Sequence, residues 1–390
     1  MASTEVLETA KGTNPLKALL GYGQSMWLDY IRRDLLTTGK LKTMIAEDGL
    51  RGMTSNPSIF EKAIGDSHLY DDMLKSLASQ PDLDATSRYE KIAIRDIQDA
   101  ADALKPVYQS SEFRDGYVSL EVSPLLAMET QKTLEEARRL WKTVGRENVM
   151  IKVPGTAEGI PAIRQLIGEG ININVTLLFA QEVYEKVAEA YVAGLEDLAK
   201  RGGNPKKMAG VASFFISRID TLIDSMIEDK LKITTDAQQQ TLLKSLLGKV
   251  AIANGKLTYQ RYQHIFSGPR WEALSAKGAQ TQRVLWASTS TKNPAYRDVM
   301  YVEELIGPDT VDTMPPATVD AFRDHGQLRN SLTEDVAGAQ KVMDDLAKAG
   351  ISIGEVTTKL TNDGVKLFAD AFHKLLAVVE KSVQQKGKNA

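Results

Sequence analysis

A lysine stands in the middle of an apolar run in "NVMIKVPGT", residues 148–156. The chain holds no cysteine and only four scattered histidines, His68, His264, His325 and His373. Disulfides, thiolate metal sites and a cysteine nucleophile are therefore excluded, and a multi-histidine metal centre is not expected. The amine of Lys152 is left as the outstanding candidate nucleophile. Confined and desolvated, such an amine attacks a carbonyl and forms an imine, whose protonated form draws electrons from an adjacent carbon–carbon bond. Water loss and proton transfer then call for carboxylates within reach, and Glu121 in "SLEVSP" and Asp29 in "WLDYIRRD" are available.

What must position these groups is legible as alternation. Eight short apolar runs occupy residues 25–31, 49–56, 117–124, 148–154, 170–179, 208–215, 283–289 and 309–315. Segments of helical period lie between them, such as "METQKTLEEARRLWKTVG". Repeated strand–helix units predict a parallel sheet, and eight of them predict an α/β fold of the closed (β/α)8 TIM-barrel type. A doubly wound open sheet is the alternative, but no glycine-rich phosphate turn follows the first strand. Helical insertions are expected at about 57–116 and 216–282, and a helical tail from about 317 that frays at its end. A single 1–390 catalytic domain is the simplest account of them.

Strand side chains alternate between faces, which assigns each polar residue a side. Met150 and Lys152 share one face, as do Ser119, Glu121 and Ser123, and Asn172, Asn174 and Thr176. The same rule groups Trp27 with Asp29, Thr54 with Asn56, Val211 with Ser213, and Trp286 with Ser288. Polar groups thus gather near the C-terminal ends of seven strands, where barrel enzymes carry their reactive groups. Each has an ordinary reading as well. Asn and Ser at strand exits form turns, Asp29 could cap the next helix, and Glu121 could pair with a neighbouring cation. Seven coincidences weaken those readings, because charges buried in one interior are costly unless paired or used.

Bulk properties set the remaining bounds. The 390 residues are 43% hydrophobic and 25% charged, with 48 Lys and Arg against 51 Asp and Glu. The balance is near neutral, with no long run of one sign, so a nucleic-acid partner is not expected. The opening "MASTEVLETAKGTNPLK" has no apolar core of signal type, and no run of membrane-spanning length follows. A cytoplasmic, metal-independent protein is expected.

The segments "MTSNPSIF", "SLEVSP", "IKVPGTAEGIPAI", "NINVTLLF" and "SFFISRID" resemble, in order, the signature segments of the transaldolase family. The length and insertions are similar to its longer bacterial subgroup. The resemblance implies a barrel enzyme of the pentose phosphate pathway that uses no cofactor. It implies sugar phosphates as substrates, with no membrane and no obligate protein partner. It makes Lys152 the Schiff-base lysine, Glu121 an acid/base working through a water positioned by Thr176, and Asp29 the base for the C4 hydroxyl. Asn56 and Asn174 would hold hydroxyls of the three-carbon unit, Ser213 would line the pocket, and Arg218 would bind phosphate. One departure stands out: the better-known members follow strand seven with a serine and an arginine, and here the segment reads "WASTSTKNPAY". Ser288 and Lys292 are the substitutes, and an ordinary polar loop is the other reading. A shorter aldolase of the same superfamily, which places a tyrosine where this chain has Glu121, is the nearest rival. A catalytically inert sugar-phosphate binding protein is the second.

Overall fold

A computed structural model describes residues 14–388. The opening at 1–13, expected to carry no signal, and the last two residues of the tail lie outside the described residues.

All eight runs are strands: β1 Gln24–Asp29, β2 Gly52–Thr54, β3 Tyr117–Glu121, β4 Val149–Pro154, β5 Ile173–Leu178, β6 Gly210–Phe215, β7 Arg283–Ala287 and β8 Thr310–Met314. They pair in sequence order, all parallel, and β1 closes on β8 from Gln24↔Thr310 to Leu28↔Met314. The result is a closed (β/α)8 barrel. Val149, Ile151, Val153, Ile173 and Val175 are fully buried between strand and helix, as alternation requires when both faces of a sheet are covered. Trp27 fills the floor of the barrel. A Cβ on Gly52, the residue paired with it, would fall 2.5 Å from the indole, so only glycine fits there.

The first insertion holds the helices Pro57–Gly65, Asp71–Ala78 and Ala85–Ser110. The second holds Ser217–Ile233, Ala237–Leu246, Val250–Ile265 and Gly268–Ser275. The tail contributes Pro316–His325, Val336–Lys348 and a long final helix, Ile353–Lys388. That helix does not fray where expected: it stays helical to Lys388, and Lys386 Nζ meets Asp71 Oδ2 at 2.6 Å. Its middle crosses the barrel mouth, where Phe368 lines the cavity. Among the described residues no helix is long and apolar enough to cross a membrane.

Two departures from strict alternation matter for the mouth. β5 is bulged between Val175 and Leu178, with Leu177 in the left-handed region at φ 61°. At the end of β7, Ser288 takes φ 58°. Trp286, grouped with Ser288 from spacing, faces the helices instead and packs edge-on against Phe214 at 6.3 Å. Ala287 takes the inward position, and Ser288 turns into the mouth because the left-handed residue reverses the direction that alternation assigns.

Candidate active site

The strand ends enclose a cavity of about 210 Å³ lined by Asp29, Asn56, Lys152, Thr176, Ser213, Arg218, Ser288 and Lys292. Eight of the ten residues singled out from the sequence therefore share one wall. The other two lie directly against it: Glu121 beside the lysine, and Asn174 behind Ser213.

Lys152 is only 5% exposed. Its Nζ lies 3.4 Å from Glu121 Oε2 and donates to the carbonyl of Ser55 at 3.3 Å. Register explains the first contact, since Glu121 and Lys152 are directly paired across β3 and β4. Burial raises the Glu121 carboxyl above its ordinary range, against the opposing charge of Lys152. The pairing is one of charge alone: among the described residues neither Glu121 oxygen has an aligned hydrogen-bond donor, and neither has the buried Thr176 hydroxyl a partner. Unsatisfied buried polar atoms are rare in folded proteins and call for an explanation.

Asp29 sits half-buried on the far side of the mouth. It accepts from Thr54 Oγ1 at 2.7 Å, and Thr54 shares a 2.7 Å contact with the hydroxyl of Thr313. Desolvation raises the Asp29 carboxyl, while Lys152, the Thr54 hydrogen bond, Arg218 and Lys292 pull the other way. It caps no helix, since the following helix, Arg33–Thr37, has Arg32 in the N-cap position and no side-chain cap. Asn56 does cap: its Oδ1 accepts from the amide of Ile59 at 3.1 Å. The cap is compatible with a place in the site, because it does not use the Asn56 amide nitrogen. Asn174 donates to Ser119 Oγ at 3.0 Å and accepts from Ser213 Oγ at 2.7 Å, which fixes its amide orientation.

Two cations border the same cavity. Arg218 lies in the first turn of Ser217–Ile233 with its guanidinium over the Phe215 ring, 5.1 Å from the centroid. Lys292 donates to Ser290 Oγ at 2.7 Å. Neither forms an ion pair among the described residues. Desolvation lowers both, and Arg218 depresses Lys292 further. Ser288 ties this corner together, its hydroxyl 3.0 Å from that of Ser217 and its carbonyl accepting the Ser217 amide at 3.1 Å. Two unpaired cations on one rim form a receptor for an anion such as phosphate.

Spacing did not supply everything on the wall. Thr313 obeys the same alternation rule in β8, so the signal was present there. Phe215, Ser290 and Phe368 also line the cavity, and Phe368 comes from the final helix, which no strand pattern reaches. No group of three or more His, Cys, Asp or Glu that could hold a metal occurs among the described residues.

A family model described as Transaldolase/Fructose-6-phosphate aldolase matches residues 26–379. A transaldolase of Trichodesmium erythraeum is 47% identical over 375 residues, 96% of this chain and 98% of that protein. A protein of a Nostoc species called transaldolase 2 is 46% identical, over 95% of this chain and 98% of its own. A transaldolase of Frankia alni is 43% identical over 96% and 99% respectively.

Proposed function

The chain belongs to the transaldolase/fructose-6-phosphate aldolase family, and from that premise we propose that it is a transaldolase acting through an imine on Lys152. It moves a dihydroxyacetone unit from sedoheptulose 7-phosphate to glyceraldehyde 3-phosphate, giving erythrose 4-phosphate and fructose 6-phosphate. It works in the cytoplasm as a single barrel domain with two helical insertions. It needs no metal or organic cofactor, nucleic acid, membrane or obligate protein partner.

The observation that carries this reading is the Lys152 amine, buried within 3.4 Å of one carboxylate and sharing a cavity with a second. The amine attacks the C2 carbonyl of the ketose. Glu121, with a proton affinity raised by burial, passes protons through a water held by Thr176 as the carbinolamine forms and loses water. The unpartnered oxygens of Glu121 and Thr176 support that role. Asp29 then takes the C4 hydroxyl proton, the C3–C4 bond breaks toward the imine, and the aldose phosphate leaves. The three-carbon unit stays on Lys152 as an enamine until a new aldehyde accepts it. Asn56 and Asn174 hold its hydroxyls, and Ser213 keeps Asn174 in orientation. Arg218, Lys292 and Ser288 take the phosphate. Lys292 acts there as a point charge rather than a bidentate fork.

The test is an assay with fructose 6-phosphate in the presence and absence of erythrose 4-phosphate. A transaldolase gives sedoheptulose 7-phosphate, and glyceraldehyde 3-phosphate beyond about one equivalent per Lys152, only when the acceptor is present. Steady acceptor-independent release of dihydroxyacetone would assign the chain to the aldolase branch of its family.

A further inference from the structure

The final helix, Ile353–Lys388, carries three residues at four-residue spacing, Gly364, Phe368 and Phe372. Residues so spaced share one helix face, and here that face meets the ends of β5, β4 and β3 in turn. Gly364 meets Leu177, the bulged residue beside Thr176: a Cβ on Gly364 would fall 2.8 Å from Leu177 Cδ2. Phe368, 8% exposed, lines the cavity with its ring centroid 5.6 Å from Lys152 Nζ. Phe372 packs edge-on against Tyr89 at 5.9 Å and lines a small void of about 10 Å³ that also touches Glu121. The cover over the catalytic amine is therefore a ring seated by a glycine one turn before it and anchored by a phenylalanine one turn after it.

We propose that Phe368 determines the transfer specificity of the reaction by keeping solvent off the lysine-bound three-carbon intermediate until an aldose acceptor arrives. The inference rests on the transaldolase reading above. After cleavage the unit is an enamine on Nζ, and Asp29 holds the proton from the C4 hydroxyl. In transfer, the enamine carbon bonds to the acceptor carbonyl carbon, and the oxygen takes the proton from Asp29, leaving a protonated imine. In the competing leak, the enamine carbon takes a proton from solvent instead, giving a protonated imine of dihydroxyacetone, and Asp29 returns its own proton to solvent. One water then adds at C2, the C–N bond breaks, and dihydroxyacetone leaves the lysine as an ammonium group. No electrons are exchanged in either branch. Only the leak depends on solvent supplying the carbon-bound proton. Excluding water from a closed site suppresses this kind of side reaction, and an apolar ring over the amine also favours the cationic imine through its face.

The test compares the ratio of acceptor-independent dihydroxyacetone release to acceptor-dependent transfer in the wild type, Phe368→Ala and Phe368→Leu. Borohydride trapping on Lys152 confirms that each variant still forms the imine. Phe368→Ala is expected to raise the ratio about tenfold, since the seal is lost while the chemistry remains. An unchanged ratio with the imine still trapped overturns the proposal. Should the alanine variant not fold, Phe368→Leu, which keeps apolar packing but shortens the side chain, is judged by the same ratio. A rise of at least about twofold is expected there, and none overturns the proposal. Wild-type enzyme that itself releases dihydroxyacetone steadily contradicts the transaldolase reading; wild type that transfers cleanly beside a variant that leaks no more contradicts only the role of Phe368.

Discussion

The two ends of the barrel bury similar groups and treat them in opposite ways. At the floor, Arg283 donates to Ser25 Oγ and Asp115 Oδ1, both at 2.8 Å, and to the carbonyl of Arg114 at 2.6 Å. Asp115 accepts further from Ser25 at 2.8 Å and Trp27 at 3.3 Å. Burial alone would raise that carboxyl, but the Arg283 charge and these hydrogen bonds hold it below the ordinary range. At the mouth, Lys152 and Glu121 are as deeply buried, yet among the described residues the Glu121 oxygens have no aligned donor and two further cations lack ion-pair partners, and the carboxyl is raised. A buried charge whose hydrogen-bonding capacity is filled by the protein specifies structure. One whose capacity is left open is held ready for a substrate.

That contrast can be broken at either end. The largest effect is expected at the mouth: Lys152→Ala abolishes transfer, by a thousandfold or more in kcat, to about the level left when a covalent nucleophile is removed. The thermal midpoint should be largely retained, because the Glu121 carboxyl, already raised by burial, can take up a proton once its counter-charge is gone. Measurable turnover with fructose 6-phosphate would remove the imine from the mechanism. At the floor the opposite pattern is expected. Asp115→Ala leaves Arg283 buried without its counter-charge and lowers stability by about 3–5 kcal/mol, as read by urea denaturation. The KM and kcat of the folded fraction stay near wild type; a loss of kcat at unchanged stability would show that the floor takes part in chemistry.

A smaller effect sharpens the account of the rim. Lys292→Ala should raise the KM for fructose 6-phosphate about tenfold, equivalent to roughly 1.4 kcal/mol of lost anion binding, with little effect on the KM for unphosphorylated fructose. An unchanged KM would return "STSTKNP" to an ordinary polar loop.

The smallest effect concerns a carboxylate belonging to neither end. Asp312, on the outer face of β8, is fully buried, accepts from Thr289 at 2.8 Å through Oδ1 and among the described residues has no partner at Oδ2. Burial pushes it up to about 8. The folded state therefore holds the proton more tightly than the unfolded chain, whose carboxyl titrates at the ordinary 3.8. The associated stability is fully present below the unfolded value and is lost as pH rises through about 8. Wild-type thermal midpoints should fall between pH 6 and 9, and Asp312→Asn should flatten that fall by a few degrees, on the order of 2–4 °C. Parallel pH profiles for the two proteins would place the charge elsewhere.

Much of this architecture was legible because both β-strand alternation and chemical type are local properties. All eight strands, and the inward direction of Lys152, Glu121, Asp29, Thr176 and Ser213, follow from a period of two. The rule misplaced Trp286 for a specific reason: Ser288 reaches the mouth through a left-handed backbone, which no count of residues from the strand predicts. Asn56 was offered as either a turn residue or a ligand residue, and its two side-chain ends permit both. Phe368 was out of reach altogether. Its place over Lys152 depends on how a helix from the far end of the chain crosses the strands, and that is a tertiary property of the Gly364–Leu177 seat.

The most direct test of the central claim is borohydride trapping with fructose 6-phosphate, followed by peptide mass spectrometry. The account predicts a single three-carbon adduct on Lys152, with free dihydroxyacetone scarce throughout and the adduct discharged into a ketose phosphate once an aldose phosphate is added. An adduct on another lysine, or none under conditions where the enzyme turns over, would contradict it.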